Sequence, residues 1–301
     1  MIKWLLIALF LASVLYVHFR GRARLRLSRQ VMDHSTFMAP VNVLMYAGSK
    51  VPTTPFIDPA ASFPELLPLR EHWREIRDEA LALREQQRIR AADGYNDVGF
   101  NSFFRRGWKR FYLKWYASAH PSAAELCPRT TALLAAIPSV KAAMFAELPP
   151  GSELRPHRDP YAGSLRLHLG LETPNDARCF IDVDGQRHAW HDGEWTMFDE
   201  TYVHYARNDT AHDRVILFCD VERPMKWRWA QAFNRFVARN LLAAGASPNQ
   251  DGDQTGGINR LFRYFYAVRL KGKALKKSQP AVYYAIKWGL VLLVVVAIIR
   301  L

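Results

Sequence analysis

The chain has 301 residues, half of them hydrophobic and 13% aromatic, which is enough for one sizeable core and excludes a disordered chain. Its formal net charge of +13 predicts an anionic partner, whether nucleic acid, an anionic membrane surface or a small polyanion. The three cysteines are far apart and form no CxxC pair. Their spacing is typical of a reducing compartment and excludes a zinc site built from paired cysteines.

Both ends of the chain are apolar. The stretch from Trp4 to Phe19 contains no Lys, Arg, Asp or Glu, and the stretch from Trp288 to Ile299 is an unbroken apolar run. Clusters of basic residues lie immediately inside both stretches, within residues 20–29 and 271–277. Because basic residues beside a membrane segment stay in the cytoplasm, this placement predicts that the middle of the chain is cytoplasmic.

The sequence therefore predicts an N-terminal transmembrane anchor at residues 1–20 and a C-terminal membrane segment at residues 281–301. A cleaved signal peptide is the alternative for the first segment, although the basic cluster that follows opposes export. The second segment could instead lie in the membrane interface.

The regions between the anchors and the centre of the chain differ in composition. Residues 21–95 read as a basic juxtamembrane linker, irregular between residues 33 and 59, followed by an amphipathic helix from Glu65 to Ile89. Residues 225–280 read as basic amphipathic helices joined by a flexible tether from Gly245 to Gly257.

The stretch from Asn96 to Tyr116 interleaves aromatic and basic residues. Nucleic-acid binders share this composition, but the chain carries no RNP-like motif and no zinc motif. We therefore expect a domain flank that packs on a sheet, and no nucleic-acid partner.

From residue 143 onward the pattern changes to eight short segments with strand character, separated by turn signals such as Asp184-Gly185. These segments are Ala143–Leu148, Glu153–Arg158, Leu165–Leu171, Arg178–Val183, Arg187–Trp190, Glu194–Phe198, His204–Arg207 and Arg214–Val221. Eight short strands at this spacing predict a mainly β fold, a jelly roll or double-stranded β-helix of the cupin-like kind, with flanking helices.

His157 and Asp159 are two residues apart in one predicted strand, so their side chains are expected on the same face. Together with a distal histidine they would form the 2-His-1-carboxylate triad of non-haem Fe(II) oxygenases. The candidate for the distal histidine is His204. The competing histidines, which fall in turn-like stretches, are His188, His191 and His212.

The segment from Leu165 to Leu171 alternates strictly, with leucines on one face and Arg166, His168 and Gly170 on the other. In an inner strand Arg166 would need a buried anion, and a dicarboxylate co-substrate provides one. The alternative is an edge strand that leaves both polar side chains in water.

Arg214 begins the last predicted strand, ten residues after His204. A buried arginine one hairpin beyond a metal ligand would lie where the distal carboxylate of 2-oxoglutarate binds. The alternative is a surface charge at the end of a strand.

Several motifs occur in an order and spacing that resemble one family. They are Pro150-Gly151, Pro156-His157, Arg166 to Leu171, Trp190 to Glu194, Phe198-Asp199-Glu200, His204 and Arg214. Over roughly residues 96–224 the chain resembles the aspartyl/asparaginyl β-hydroxylase family. Its terminal apolar segments and the stretch from Asp33 to Tyr46 are most similar to one branch of that family, the bacterial lipid A 2-hydroxylases.

This resemblance implies an enzyme that binds Fe(II) through His157 and His204, holds 2-oxoglutarate with Arg166, His168 and Arg214, and uses O2 as oxidant. It also implies that the substrate is a secondary acyl chain of lipid A in the bacterial inner membrane. The catalytic domain, residues 96–224, would then act from the cytoplasmic side.

The chain departs from the eukaryotic peptide hydroxylases of this family at two positions. Those enzymes have Gly where this chain has Asp159, and they place Ser near the co-substrate where this chain has Ala146. Asp159 is therefore expected as the third iron ligand, with Asp199 or Glu200 as alternatives. A peptidyl Asp/Asn hydroxylase and a non-enzymatic membrane-anchored jelly-roll module remain the competing functions.

Overall fold

A computed structural model describes residues 2–92, 96–118 and 120–300, and its centre is a pair of antiparallel sheets. The strands of the described residues are β1 (Phe56–Ile57), β2 (Lys109–Trp115), β3 (Val140–Leu148), β4 (Glu153–His157), β5 (Ser164–Glu172), β6 (Cys179–Val183), β7 (Gln186–Ala189), β8 (Trp195–Phe198), β9 (His204–Asn208) and β10 (Arg214–Glu222).

The α-helices precede, flank and follow these strands. They are α1 (Ile2–Phe19), α2 (Leu27–Gln30), α3 (His34–Phe37), α4 (Ala39–Gly48), α5 (Pro59–Ser62), α6 (Leu67–Glu71), α7 (Trp73–Glu85), α8 (Asn101–Phe104), α9 (Pro121–Leu126), α10 (Pro128–Ala135), α11 (Arg228–Val237), α12 (Gly257–Ser278) and α13 (Pro280–Arg300). Short 3₁₀ or π segments occupy Pro64–Leu66, Ala238–Leu242 and Ala243–Gly245.

The strand order identifies the fold. One sheet has the order β1-β8-β5-β10-β3-β2, and the other has the order β4-β9-β6-β7. From β3 to β10 the chain passes back and forth between the two sheets, which is the winding of a double-stranded β-helix. The predicted fold is confirmed, and all eight predicted strands are present with ends shifted by a few residues. The Asp184-Gly185 turn joins β6 to β7 with both residues at positive φ, 55° and 82°, as a two-residue hairpin turn requires.

The core has two layers. The inner layer lies between the sheets, and the outer layer lies between the six-stranded sheet and helices that include α7 and α10. On α7 the buried residues Ile76, Ala80 and Leu83 fall on one face at helical spacing, so the amphipathic helix predicted in this region is present. It is divided into α6 and α7 at His72.

The aromatic and basic stretch before residue 116 contains the edge strand β2, which the sequence did not reveal. Phe111 contributes to the outer core layer and Tyr112 to the inner one, so both faces are apolar and the polar alternation of a half-exposed strand is missing. The side chain of Asn249 accepts a hydrogen bond from the Tyr112 backbone N–H at 2.7 Å and donates one to its carbonyl at 2.8 Å. This side chain satisfies backbone groups of an edge strand.

The predicted flexible tether is consequently wrong. Ala246 and Ser247 are fully buried, and the Ser247 hydroxyl accepts a hydrogen bond from the Arg110 guanidinium at 2.8 Å. Residues 246–256 are not helical, but this segment is bound to the β domain rather than free.

The linker between residues 33 and 59 is also more regular than predicted, since it contains α3 and α4. Pro40 lies in the first turn of α4, where a missing N–H costs no hydrogen bond. Asp33 caps α3 by accepting a hydrogen bond from the Ser35 N–H at 3.0 Å.

Helix α1 is, among the described residues, the one helix long and apolar enough to cross a membrane. Its C-terminal part packs on α4 through Val17, while most of its large side chains are exposed. The described apolar part of the predicted C-terminal segment, Pro280–Leu293, is shorter. The side chains of residues 294, 295 and 298–300, and all of residue 301, lie outside the described part.

Candidate active site

Three of the predicted site residues meet at one end of the barrel. His157 ends β4 and His204 begins β9, and the two are direct partners in the antiparallel register, with ring centroids 4.2 Å apart. The Asp159 Oδ1 atom lies 3.6 Å from His157 Nε2 and 4.0 Å from His204 Nε2. Within the described residues this is the set of metal-ligating side chains whose donor atoms converge, all within 4.8 Å of one another.

Backbone carbonyls fix the orientation of both imidazoles. His157 Nδ1 lies 2.7 Å from the Arg155 carbonyl oxygen, and His204 Nδ1 lies 3.0 Å from that of Tyr202. Each Nδ1 therefore carries the proton that it donates, which leaves the Nε2 lone pair directed at the common centre. Burial lowers the pKa of both rings, that of His204 to about 3, so both are neutral at physiological pH.

Asp159 reaches the centre by a route different from the one predicted. It lies beyond the end of β4, so the shared face of one strand does not place it there. Its backbone N–H donates to the Glu200 carbonyl at 2.9 Å, which holds the loop in position. Burial raises the pKa of its carboxyl, but Arg166 and the two histidines lower it by more. The net pKa is about 2, so Asp159 is ionised.

Arg166 faces the interior of the barrel from β5, which lies between β8 and β10, so the edge-strand alternative is wrong. Its guanidinium contacts three carboxylates: Asp159 Oδ2 at 2.8 Å, Asp220 Oδ1 at 2.8 Å and Glu200 Oε2 at 3.3 Å. The premise that it needs an external anion is therefore wrong, because the protein supplies three. Arg166 instead orients the free oxygen of Asp159 toward the histidines.

One group of buried polar side chains without hydrogen-bond partners lies deeper in the barrel. Arg214 is 2% exposed, its Nε has no acceptor, and its guanidinium stacks on the Trp190 ring at 4.4 Å. Both ring nitrogens of His168 and the Trp190 Nε1 also lack partners. These three side chains line one small inner cavity, of about 30 Å³, which His157 and His204 also line. Burial lowers the pKa of Arg214 to about 10, so the group remains a cation at neutral pH.

The competing ligands lie elsewhere. His188 and His191 are half-buried and His212 is exposed, and none of them joins the converging set. Asp199 is fully buried between two arginines. The Glu200 carboxyl group accepts a hydrogen bond from the Ser164 hydroxyl and contacts Arg166. The structure therefore offers no support for these alternatives as ligands.

A larger cleft of about 790 Å³ opens over two of the three converging side chains, His157 and Asp159. Its wall is largely apolar, with Met38, Phe103, Leu154, Leu241 and Ile258 among the lining residues. Arginines stand along the same cleft: Arg29, Arg105, Arg106 and Arg155. The cleft is thus suited to a long apolar group attached to an anionic one.

Sequence reasoning missed two partners of the site, Asp220 and Trp190. In β10 the residues Ile216, Phe218 and Asp220 share the inward face, since the first two belong to the inner core layer. Asp220 could have been predicted to face the site, because it follows the same alternation as these two inward-facing residues. Trp190 lies just after β7, outside the alternation of a strand, so the sequence pattern does not predict which way its side chain points.

Comparison with known proteins agrees with this geometry. The aspartyl/asparaginyl β-hydroxylase family model matches residues 70–224, slightly more than half of the chain and including α7. The chain belongs to this family. The family recognised from the motifs is confirmed, and its match begins earlier than the predicted domain boundary at residue 96.

Two relatives illustrate the range of this family. An ornithine lipid ester-linked acyl 2-hydroxylase from Rhizobium tropici is 37% identical over 187 residues, covering 61% of this chain and 65% of that protein. The human aspartyl/asparaginyl β-hydroxylase is 27% identical over 161 residues, covering 52% of this chain and 21% of that protein. The chain thus spans less than two thirds of the length of each.

A solved prolyl-4-hydroxylase from Pseudomonas putida is similar with a TM-score of 0.36 and 19% identity, over 51% of this chain and 87% of that one. This level of similarity does not bear on function.

Proposed function

We propose that this protein is an Fe(II)/2-oxoglutarate-dependent dioxygenase that hydroxylates C2 of a secondary acyl chain of lipid A at the cytoplasmic face of the bacterial inner membrane. The observation that carries the proposal is the adjacency of two features: the converging His157, Asp159 and His204, and the inner cavity in which Arg214 lacks a carboxylate partner.

The triad suits Fe(II) because its members are already in the protonation states that a metal requires. Two neutral imidazoles present Nε2, and Asp159 is ionised. Bound iron, together with 2-oxoglutarate and O2, would supply the oxidising power to hydroxylate an unactivated C–H bond while 2-oxoglutarate becomes succinate and CO2. The protein's own task is to orient the ligands, exclude water and position the acyl chain.

The inner cavity suits the 2-oxoglutarate carboxylate that lies farther from the iron. A desolvated guanidinium without an internal counter-charge is costly, and a bound carboxylate would remove that cost through charge-assisted hydrogen bonds. Arg214 would make the main contact. His168, through the ring nitrogen that carries its proton, and the Trp190 Nε1–H would donate the remaining hydrogen bonds. Arg166 would act through Asp159, as a positioning residue.

The outer cleft suits a lipid. Its apolar lining would take up an acyl chain, and the arginines along it would pair with an anionic headgroup. Arg29 and Met38 follow α1, and Ile258 lies in the first turn of α12, the helix that leads to the predicted C-terminal membrane segment. An acyl chain would therefore reach the triad without leaving the vicinity of the bilayer.

The cytoplasmic location is supported by the basic residues inside both apolar ends and by the free, buried state of all three cysteines. Buried native thiols make this location testable. A Gln186→Cys variant would place one exposed thiol on the β6–β7 turn. In intact cells a membrane-impermeant maleimide should leave it unlabelled, and permeabilisation should expose it. Labelling in cells with an intact inner membrane would contradict the proposed orientation.

Ornithine lipid is a second candidate substrate, favoured by the relative that is 37% identical and acts on an ester-linked acyl chain of that lipid. The test is mass spectrometry of lipid A and of ornithine lipids from cells with the wild-type gene, without the gene, and with His204→Ala. We expect a lipid A species heavier by one oxygen atom only with the wild-type gene. Addition of oxygen to ornithine lipid alone would establish the second candidate. The absence of both hydroxylated lipids would contradict a lipid acyl hydroxylase.

A further inference from the structure

The segment that follows the membrane anchor is bound into the loop that precedes His204. Arg20, 9% exposed, places its Nη2 2.7 Å from the Asp199 Oδ2 atom and donates from Nη1 to the Thr201 hydroxyl at 2.9 Å. Its guanidinium lies between the rings of Tyr46 and Tyr202, 3.9 and 3.8 Å from their centroids. A residue that composition alone assigns to a lipid-facing basic cluster is thus part of the protein interior.

The chain turns sharply immediately after Arg20. Gly21 has φ +87°, and a Cβ at this position would lie 2.5 Å from the Asp184 Oδ1 atom. The same Oδ1 accepts hydrogen bonds from the backbone N–H groups of Arg22 and Ala23, at 2.6 and 2.8 Å. Asp184 in turn donates its own N–H to the Val203 carbonyl at 2.9 Å. Asp184 therefore connects the turn at Gly21 to Val203, the residue that precedes His204.

The loop from residue 199 to 203 also holds two of the proposed iron ligands. Its Tyr202 carbonyl accepts the Nδ1 proton of His204, and its Glu200 carbonyl accepts the backbone N–H of Asp159. Any displacement of this loop would move both donor atoms relative to His157.

A second connection runs through Arg158, which lies between His157 and Asp159 and is fully buried. Arg158 donates to the Thr201 carbonyl at 2.7 Å and to the Arg20 carbonyl at 3.3 Å. Both strands that carry ligands, β4 and β9, are thus tied to the first residue after the anchor.

From these contacts we infer that Arg20 is a positioning residue for the metal centre, so that the end of the membrane anchor sets the geometry of the ligands. The inference rests on the metal site of the proposed function. Asp199 keeps a second partner, Arg223 Nη2 at 2.8 Å, so loss of Arg20 should loosen the loop without leaving a buried charge unpaired. Partners outside the ligand set typically change metal affinity by about 10–100-fold.

The test uses the full-length chain in detergent with Co(II) as a spectroscopic probe for the iron site. Arg20→Ala should weaken Co(II) binding by about 10-fold and alter its visible absorption, which reports ligand geometry. The matched control is Arg22→Ala, which removes an exposed charge two residues away and keeps the backbone hydrogen bond to Asp184. Its affinity and spectrum should equal those of the wild type.

A folded Arg20→Ala protein with the affinity and spectrum of Arg22→Ala would overturn the inference while leaving the metal site intact. A wild-type chain that binds no Co(II) would overturn the proposed function itself, and the inference with it. If Arg20→Ala does not fold, Arg20→Lys decides. Lys keeps the charge facing Asp199 but lacks the planar face that the two tyrosines enclose, so weakened binding is expected and wild-type binding would refute the inference.

Discussion

Two buried arginines point into the same barrel from neighbouring strands, and their surroundings are opposite. Arg166 on β5 contacts three carboxylates, whereas Arg214 at the start of β10 has no carboxylate within hydrogen-bonding distance among the described residues. Burial of a guanidinium therefore does not by itself mark a ligand site. The lack of a contacting carboxylate is the more useful indication, because we expect such an arginine to gain more from binding an anion.

The barrel thus has two ends with different chemical surroundings. The end around Arg166 holds the proposed metal ligands and three acidic side chains, and burial raises the pKa of two of them, Glu200 and Asp220. Among the described residues, the end around Arg214 carries a buried positive charge that no carboxylate contacts, beside two side chains whose ring nitrogens lack partners, His168 and Trp190. Substitutions at the two ends should consequently fail in different ways.

The largest expected effect belongs to the metal end. His204→Ala removes one of two imidazole ligands, so iron retention and turnover should both fall below detection. His188→Ala, which changes a half-buried histidine outside the converging set, is the control and should retain both. Metal analysis of the purified proteins checks this, and full iron content in His204→Ala would refute the triad.

The next effect tests the two arginines directly. Arg166→Met leaves three buried carboxylates without their cation and should lower the free energy of unfolding by about 3–5 kcal/mol. Arg214→Met removes a cation that has no partner, so without co-substrate it should leave stability unchanged or raise it. Chemical denaturation of both variants measures the contrast. Equal destabilisation would mean that Arg214 has an internal partner after all.

A smaller effect is expected on co-substrate binding. Arg214→Met should raise the KM for 2-oxoglutarate by about 10–100-fold, the equivalent of one charge-assisted hydrogen bond, with metal affinity unchanged. Steady-state succinate release at varied 2-oxoglutarate measures it, with Arg187→Met as a control for loss of an exposed arginine. An unchanged KM would place the carboxylate site elsewhere in the barrel.

The smallest effect extends the comparison to Asp199, a carboxylate shared by two arginines. Burial raises the pKa of its carboxyl, but Arg223 and Arg20 lower it by more, so the net change is from 3.8 to about 2. A lowered folded-state pKa stabilises the protein above about pH 4, and this stabilisation is lost as the pH falls toward 2. The wild type should therefore lose up to about 2 kcal/mol more than Asp199→Asn over that range.

Unfolding titrations at pH 4 and pH 2 measure this difference, with the exposed Asp251→Asn as control. Identical pH dependence in the wild type and Asp199→Asn would contradict the pairing of Asp199 with the arginines.

The features predicted from sequence are those encoded locally. The strands β3 to β10 alternate or are bounded by turn residues such as Asp184-Gly185, and the two histidines proposed as ligands lie at strand ends. Strand β2 was not predicted because both its faces are buried. Helix α4 was not predicted because it lies in a stretch taken as an irregular linker, although its Pro40 is compatible with the first turn of a helix.

The features not predicted depend on pairs that are distant in sequence. Arg166 and Asp220 are 54 residues apart, and Arg20 and Asp199 are 179 apart. Pattern analysis indicates that an arginine is buried, but it does not indicate which carboxylate neutralises it. The partner of Arg166, and the burial of Arg20, therefore required the structure.

The most direct test of the central claim is reconstitution of the purified full-length chain with Fe(II), 2-oxoglutarate, lipid A in detergent, and ¹⁸O₂. A 2-oxoglutarate-dependent dioxygenase places one atom of O2 in the product and the other in succinate. We predict one ¹⁸O atom at C2 of a secondary acyl chain and one in succinate for each turnover, and neither with His204→Ala. Hydroxylation without 2-oxoglutarate, or labelled succinate with no labelled lipid, would contradict the account.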